Sequence, residues 1–304
     1  MLATFLQDAP GPTANPTTTQ DSPTIPMEVM LWPGGTPDAP ASPGLELNWG
    51  EVPDRYVRDV HVPAITVYRP NELEGQAVPA VLICPGGGYQ LLSMDKEGHE
   101  VARWFAEQGV CGVVLKSRLP RPAGHVYGHG APLADAAQAL ALIHGNAGDW
   151  SIDAKRVGIM GFSAGGHLAA SASVLLEGPQ RPAFTVLIYP VISMRAELAH
   201  GGSRNQLLGP DPAEEWLARY SCEEQVDAKT PPAFLVHTSD DPVNVLNSVV
   251  YYSALQKAGV PSELHVYDRG GHGYGMRSKD LPVGQWPQAL RRWMEVRGLL
   301  GPKD

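Results

Sequence analysis

Between residues 80 and 267, short continuous apolar runs alternate with segments of helical periodicity, and this alternation constrains the fold more than any other property of the chain. The runs fall at 80–84, 110–115, 157–160, 184–189, 233–237 and 263–267. They have the length of strands and no polar alternation, as expected of strands buried on both faces. Helical patterns occupy 96–108, 132–143, 164–176, 247–258 and 286–297. In the last of these, Pro287 suits a first turn and Gly298 a C-terminal stop. Strand and helix in succession predict an α/β fold: a mostly parallel central sheet with helices on both faces. Segments 28–32 and 64–68 read as antiparallel strands that begin the sheet. A length of 304 residues with 43% hydrophobic side chains suffices for one such domain, assigned to 27–304. Residues 193–230 interrupt the rhythm with a polar stretch and one helical segment, 212–220, and are expected to form a small cap insertion bordering a pocket.

Gly161-Phe162-Ser163-Ala164-Gly165 joins the run 157–160 directly to a helical segment. Strand, tight turn and helix form the setting of a nucleophile elbow, in which a strained turn holds the serine hydroxyl clear of the sheet. A structural Gly-Ser turn is the rival reading. The hydroxyl is a weak nucleophile until a base takes its proton and a carboxylate fixes that base's tautomer.

Both partners are expected downstream. The run 233–237 ends in Thr238-Ser239-Asp240-Asp241-Pro242-Val243, and the run 263–267 leads to Asp268-Arg269-Gly270-Gly271-His272-Gly273. Each carboxylate and the glycine-flanked His272 fall on loops at strand C-termini, where open parallel sheets gather ligands. Counting from His237, spacing favours Asp241 as the acid over Asp240; Asp268 stands too close to His272 along the chain. His237 and His265 read as structural.

An anion receptor is expected where the run 80–84 enters Pro85-Gly86-Gly87-Gly88-Tyr89. Glycines let successive backbone N–H groups converge on a carbonyl oxygen as it becomes negative. No G-x-x-x-x-G-K-[ST] or G-x-G-x-x-G continuation supports a phosphate loop; a plain glycine turn is the other alternative.

In the order glycine loop, G-x-S-x-G, Asp, His, the chain resembles the α/β-hydrolase fold, and its glycine loop resembles that of hormone-sensitive-lipase-like esterases, with Pro85 in place of their usual His. It is most similar in pattern to bacterial acetylxylan-esterase-like and feruloyl-esterase-like hydrolases. The likeness spans 26–297 and rests on Leu31-Trp32-Pro33, Cys84 to Tyr89, Glu97-Gly98-His99, Lys116-Ser117-Arg118-Leu119-Pro120, Pro132-Leu133 with Asp135-Ala136, the elbow through Ala169, and Gly270 to Gly273. It implies a serine carboxylic-ester hydrolase with the triad Ser163, His272 and Asp241, acting on acetylated xylan or a related carbohydrate ester. A feruloyl or short-chain carboxylesterase is the alternative, with a peptidase or an inert binding relative behind it. It further implies an oxyanion hole from the N–H groups of Gly87, Gly88 and Ala164, with Tyr89 lining the pocket. Two departures stand out: Ser117 where Tyr is more usual, and Asn244-Val245 for the common Val-Pro after the acid.

Other side chains have blander readings. Trp216 is a candidate platform for a sugar ring, with helix packing as its rival. His125 and His129 are spaced i, i+4 amid glycines and without a carboxylate, so neither a metal site nor a cofactor is expected. Asp135 reads as a cap or an internal salt-bridge partner, and His167 as hydrogen-bonded to neighbouring backbone. Cys84, Cys111 and Cys222 read as small buried hydrophobes, not a disulfide framework.

A net charge of −9 and the lack of basic clusters argue against nucleic-acid and anionic-membrane partners and leave a small-molecule or polysaccharide ester as the expected partner, with no prediction of oligomeric state. Residues 1–26 are expected to be a disordered leader, since Pro, Thr, Asp and Ser dominate 7–26. Such leaders often follow signal peptides in exported polysaccharide-degrading enzymes, which favours a secreted or periplasmic setting over a cytoplasmic one.

Overall fold

The computed structural model describes residues 26–41, 44–71, 75–120, 127–278 and 280–300. Eleven strands and seven α-helices are assigned among them. The strands are β1 (Met27–Met30), β2 (Leu47–Trp49), β3 (Tyr56–Arg58), β4 (Ala64–Tyr68), β5 (Val78–Cys84), β6 (Leu92–Ser93), β7 (Cys111–Lys116), β8 (Ile152–Phe162), β9 (Thr185–Ile188), β10 (Ala233–Thr238) and β11 (Ser262–Tyr267). The helices are α1 (Glu100–Glu107), α2 (Ala131–Gly145), α3 (Ser163–Leu175), α4 (Gly201–Leu208), α5 (Glu214–Tyr220), α6 (Leu246–Lys257) and α7 (Trp286–Val296).

Eight strands form the main sheet in the order β1-β4-β7-β5-β8-β9-β10-β11. The pairs β1·β4 and β4·β7 are antiparallel; from β7 to β11 every pair is parallel. Alternate residues of β5 serve opposite faces: Ala80, Leu82 and Cys84 join a core with α2, α3 and α6, while Val81 and Ile83 join another with α1 and α7. The apolar runs therefore carry no polar residues because neither face meets water.

Three features escape the sequence pattern. A small sheet, β2-β3-β6, leans against the glycine loop. The segment expected as one helix over 96–108 opens with a π-helical turn, Asp95–His99, before α1 begins. Helix α4 starts with Gly201-Gly202, which propensity disfavours, and is held by the His200 side chain, which accepts the Ser203 N–H as a cap. Helices α4 and α5 both lie within 193–230, and this segment is pinned to the body: His167 Nε2 donates to Tyr220 O (2.7 Å), Asn247 Nδ2 to Leu198 O (3.0 Å) and Gln206 Nε2 to Pro120 O (2.7 Å).

Asp135 lies inside α2 and is fully buried, paired with Arg118, which is 1% exposed. The guanidinium donates through Nη2 (2.8 Å) and Nε (3.0 Å), the Arg118 backbone N–H adds a bond of 2.8 Å, and Trp32 Nε1 donates from 2.8 Å. Three separate stretches of the sequence thus meet in one ion pair, the internal salt-bridge alternative anticipated for Asp135; the helix itself is capped by Gly130. The three cysteines are buried and free. Among the described residues, no helix is long and apolar enough to cross a membrane. Residues 1–25, expected as a leader, and His125, weighed as a metal ligand, lie outside the described residues.

Candidate active site

The C-terminal ends of β5, β8, β10 and β11 gather the side chains singled out from the sequence. Strand β8 ends at Phe162 and α3 begins at Ser163, with no intervening loop. Ser163 pays for that junction with φ +52°, a left-handed conformation unfavourable for a residue with a β-carbon. Its neighbours must be glycine. A β-carbon on Gly161 would lie 2.0 Å from Gly165 O, and one on Gly165 would lie 2.1 Å from Cys84 O.

His272 Nε2 lies 2.8 Å from Ser163 Oγ, and His272 Nδ1 lies 2.9 and 2.8 Å from the two Asp241 carboxylate oxygens. The structure brings together the three side chains expected as a triad, His272 meeting Asp241 from 31 residues away and Ser163 from 109. The Asp241 carboxylate is fully buried, while the His272 ring keeps 26% exposure. Asp241 Oδ1 also accepts the Val243 N–H (2.6 Å). His272 Nδ1 faces both Asp241 oxygens and Nε2 faces the Ser163 hydroxyl, the arrangement of a ring that donates from Nδ1 to a carboxylate and can accept at Nε2.

Asp240 has a different position. It is exposed and accepts the Gly270 and Gly271 N–H groups (3.0 and 2.8 Å), bonds that hold its carboxyl below the usual range and fasten the loop that carries His272. Thr238 Oγ1 adds a bond to Gly271 O (2.8 Å). His237 is a buried neighbour of the acid: Nε2 donates to Val243 O (2.9 Å), so Nδ1 accepts from Ser248 Oγ (2.8 Å). Burial holds its pKa below the ordinary histidine value.

The glycine loop touches the elbow. A β-carbon on Gly86 would lie 2.9 Å from Ser163 Cβ and 2.6 Å from Phe162 O. Gly86 O accepts from Ser93 N (3.0 Å), and Gly87 O from Gln90 N (3.0 Å) and Leu91 N (3.2 Å). In a trans peptide the N–H points opposite the carbonyl, so these bonds turn the Gly87 N–H away from Ser93 and the Gly88 N–H away from Gln90 and Leu91. Ala164 occupies the first turn of α3, where a backbone N–H has no acceptor within the helix.

Tyr89 does not present its ring to solvent. It is 5% exposed with φ +60°, and its hydroxyl donates to His167 Nδ1 (2.7 Å). The tautomer follows from His167 Nε2, which donates to Tyr220 O. Buried between these partners, His167 is held at a pKa of about 4 by desolvation. Tyr89 thus acts as a strut between glycine loop, elbow helix and 193–230 segment, packed in a small apolar cluster with Ala164, Val191, Met194, Leu207 and Val243. Trp216 is partly buried, its ring 4.2 Å from that of His129, whose Nδ1 is 3.0 Å from Tyr220 Oη.

Sequence reasoning missed His200 and Ser203. A β-carbon on Gly88 would lie 3.9 Å from Ser203 Oγ, so the start of α4 reaches the glycine loop. Ser203 Oγ lies 2.9 Å from His200 Nδ1, which also accepts the Ser203 N–H, leaving the His200 proton on Nε2. No local signal marks them, since two glycines follow His200 directly. Among the described residues, no group of three or more His, Cys, Asp or Glu is arranged to hold a metal ion.

A doubly covered parallel sheet with a serine elbow after one strand and acid and histidine loops after two later ones defines the hydrolase class. The chain belongs to the alpha/beta hydrolase fold family, whose family model matches residues 81–276. It is 35% identical over 243 residues to an acetylxylan esterase of Xylanibacter ruminicola, covering 78% of this chain and 48% of that protein. It is also 36% identical over 216 residues to endo-1,4-beta-xylanase B of Butyrivibrio fibrisolvens, covering 67% of this chain and 34% of that one. The chain thus spans about half, or less, of the length of these relatives. Among solved structures it resembles an acetyl ester-xyloside bifunctional hydrolase from Caldicellulosiruptor lactoaceticus, with 38% identity, a TM-score of 0.73, and coverage of 79% of this chain and 90% of that one.

Proposed function

We propose that the protein is a serine carboxylic-ester hydrolase that removes acetyl groups from xylan or closely related carbohydrate esters. The observation that carries this reading is the 2.8 Å approach of His272 Nε2 to Ser163 Oγ at the foot of the glycine loop. His272 takes the Ser163 proton as Oγ attacks the ester carbonyl. The N–H groups of Gly87, Gly88 and Ala164 receive the oxyanion, and Asp241 stays ionised and stabilises the imidazolium. His272 then returns the proton to the departing sugar hydroxyl. Water, deprotonated by the same imidazole, releases acetate from the acyl-enzyme.

Support for the sugar ester comes from the family and from the names of the relatives, an acetylxylan esterase and an acetyl ester-xyloside hydrolase. The exposed edge of His272 suits an alcohol that remains part of a polymer. A polymer does not cross a membrane, and this substrate therefore favours a secreted or periplasmic setting over a cytoplasmic one. Acid release is the test: acetylated xylan should outrun feruloylated oligosaccharide, and among p-nitrophenyl esters acetate should outrun octanoate. Faster release of ferulate or octanoate would contradict the acetyl assignment.

A further inference from the structure

Glu97 is a fully buried carboxylate that none of these steps uses. It sits in the π-helical turn Asp95–His99, a form of helix found mostly as single turns at functional sites. Its Oε2 accepts the Gly86 N–H (2.9 Å) and its Oε1 accepts the Tyr189 hydroxyl (2.8 Å). Tyr189 Oη in turn accepts the Gly275 N–H (3.0 Å), three residues beyond His272. The Tyr189 ring packs 4.8 Å from the His272 ring, centroid to centroid, on a backbone strained to φ +39°. One carboxylate therefore grips the loop proposed to hold the oxyanion and, through one hydroxyl, the loop bearing the proposed base.

Such a group is costly where it stands. Burial raises its pKa, and an apolar side chain of similar shape would serve stability as well or better. Every polar hydrogen aimed at Glu97 is a donor, the pattern that an ionised carboxylate satisfies. The turn that carries it is specified tightly, since a β-carbon on Gly98 would lie 2.8 Å from Val114 Cγ1. The carboxylate next to it lies buried against the Gly86 N–H of the glycine loop.

We propose that Glu97 is a positioning residue that ties the glycine loop to the His272 loop, so that oxyanion donors and base keep one spacing through the reaction. This inference rests on the esterase reading above. Glutamine at 97 keeps the shape but turns one accepting oxygen into a donor. Facing Gly86, the amide would set two donors against each other; facing Tyr189, it would leave the hydroxyl proton without its acceptor.

The test measures kcat and KM for p-nitrophenyl acetate, together with the thermal midpoint, for the parent, Glu97→Gln, Tyr189→Phe and the double variant. Each single change should lower kcat on the order of 10- to 100-fold, with KM within about twofold and the midpoint lowered by only a few degrees, since each leaves a buried polar group unpaired. The double variant should lose no more than about threefold beyond the weaker single, because both break one linkage. Retention of kcat by both singles, or losses that multiply in the double, would overturn the proposal. If Glu97→Gln does not fold, Tyr189→Phe decides alone, since it keeps the ring against His272 and removes only the hydroxyl. Absence of turnover and of fluorophosphonate labelling in the parent itself would instead sink the esterase reading.

Discussion

Replacing Asp241 by Asn changes one atom, and the geometry dictates which way the amide must face. Asp241 Oδ1 accepts the Val243 N–H at 2.6 Å, too close for an NH2 group, so the amide oxygen takes that position. The NH2 group then occupies the Oδ2 site, 2.8 Å from His272 Nδ1. A donor there forces Nδ1 to accept and moves the ring proton to Nε2, which faces Ser163. The base arrives already protonated. Loss of the tautomer and of the charge that stabilises the imidazolium is worth about 10⁴-fold in kcat, the effect seen for the same change in the best-studied serine protease triad, or about 5 kcal/mol of barrier. Asp240→Asn is the matched control. Its oxygen can still accept from both Gly270 and Gly271, so kcat should stay within about tenfold of the parent. Turnover of p-nitrophenyl acetate by the two variants, with circular dichroism to confirm folding, checks the pair. An Asp241→Asn enzyme within tenfold of the parent, beside an inactive Asp240→Asn, would refute this assignment of the acid.

Arg118→Met should cost about 3–5 kcal/mol in urea unfolding, because it leaves the Asp135 carboxylate buried without its cation, whereas Arg118→Met with Asp135→Leu should recover much of that loss. Gly86→Ala should abolish turnover with little loss of secondary structure, since the added methyl would lie 2.6 Å from Phe162 O, 2.7 Å from Glu97 Oε2 and 2.9 Å from Ser163 Cβ. The depressed His167 pKa, about 4 against an ordinary 6.5, means that the unfolded chain binds a proton the folded chain refuses between those values. Stability should therefore be full above pH 6.5 and fall as pH drops towards 4, with His167 contributing about 3 kcal/mol, and His167→Gln should flatten the fall in urea midpoints measured across that window.

The main sheet was legible because its strands are buried on both faces, which writes them as unbroken apolar runs such as Val81-Leu82-Ile83. The elbow was legible because Gly161 and Gly165 answer to contacts near 2 Å that no other residue survives. What stayed hidden lacks local cause. The helix at 201–208 begins with two glycines and exists through a histidine cap and packing. Arg118 as the partner of Asp135, the inward turn of Tyr89 and the reach of Glu97 to Tyr189 join residues up to 92 positions apart, and no periodicity carries such information. The π turn was read as regular helix because a one-residue change in hydrogen-bond spacing leaves no mark on the sequence pattern; Gly98 is its one residue of poor helix propensity.

Labelling with a fluorophosphonate, followed by peptide mapping and assay of acetate release from acetylated xylan, tests the central claim most directly. A single adduct on Ser163 that ends acetate release, with no adduct on Ser163→Ala protein, is the predicted result. An adduct elsewhere, or undiminished release from fully labelled or Ser163→Ala protein, would contradict the account.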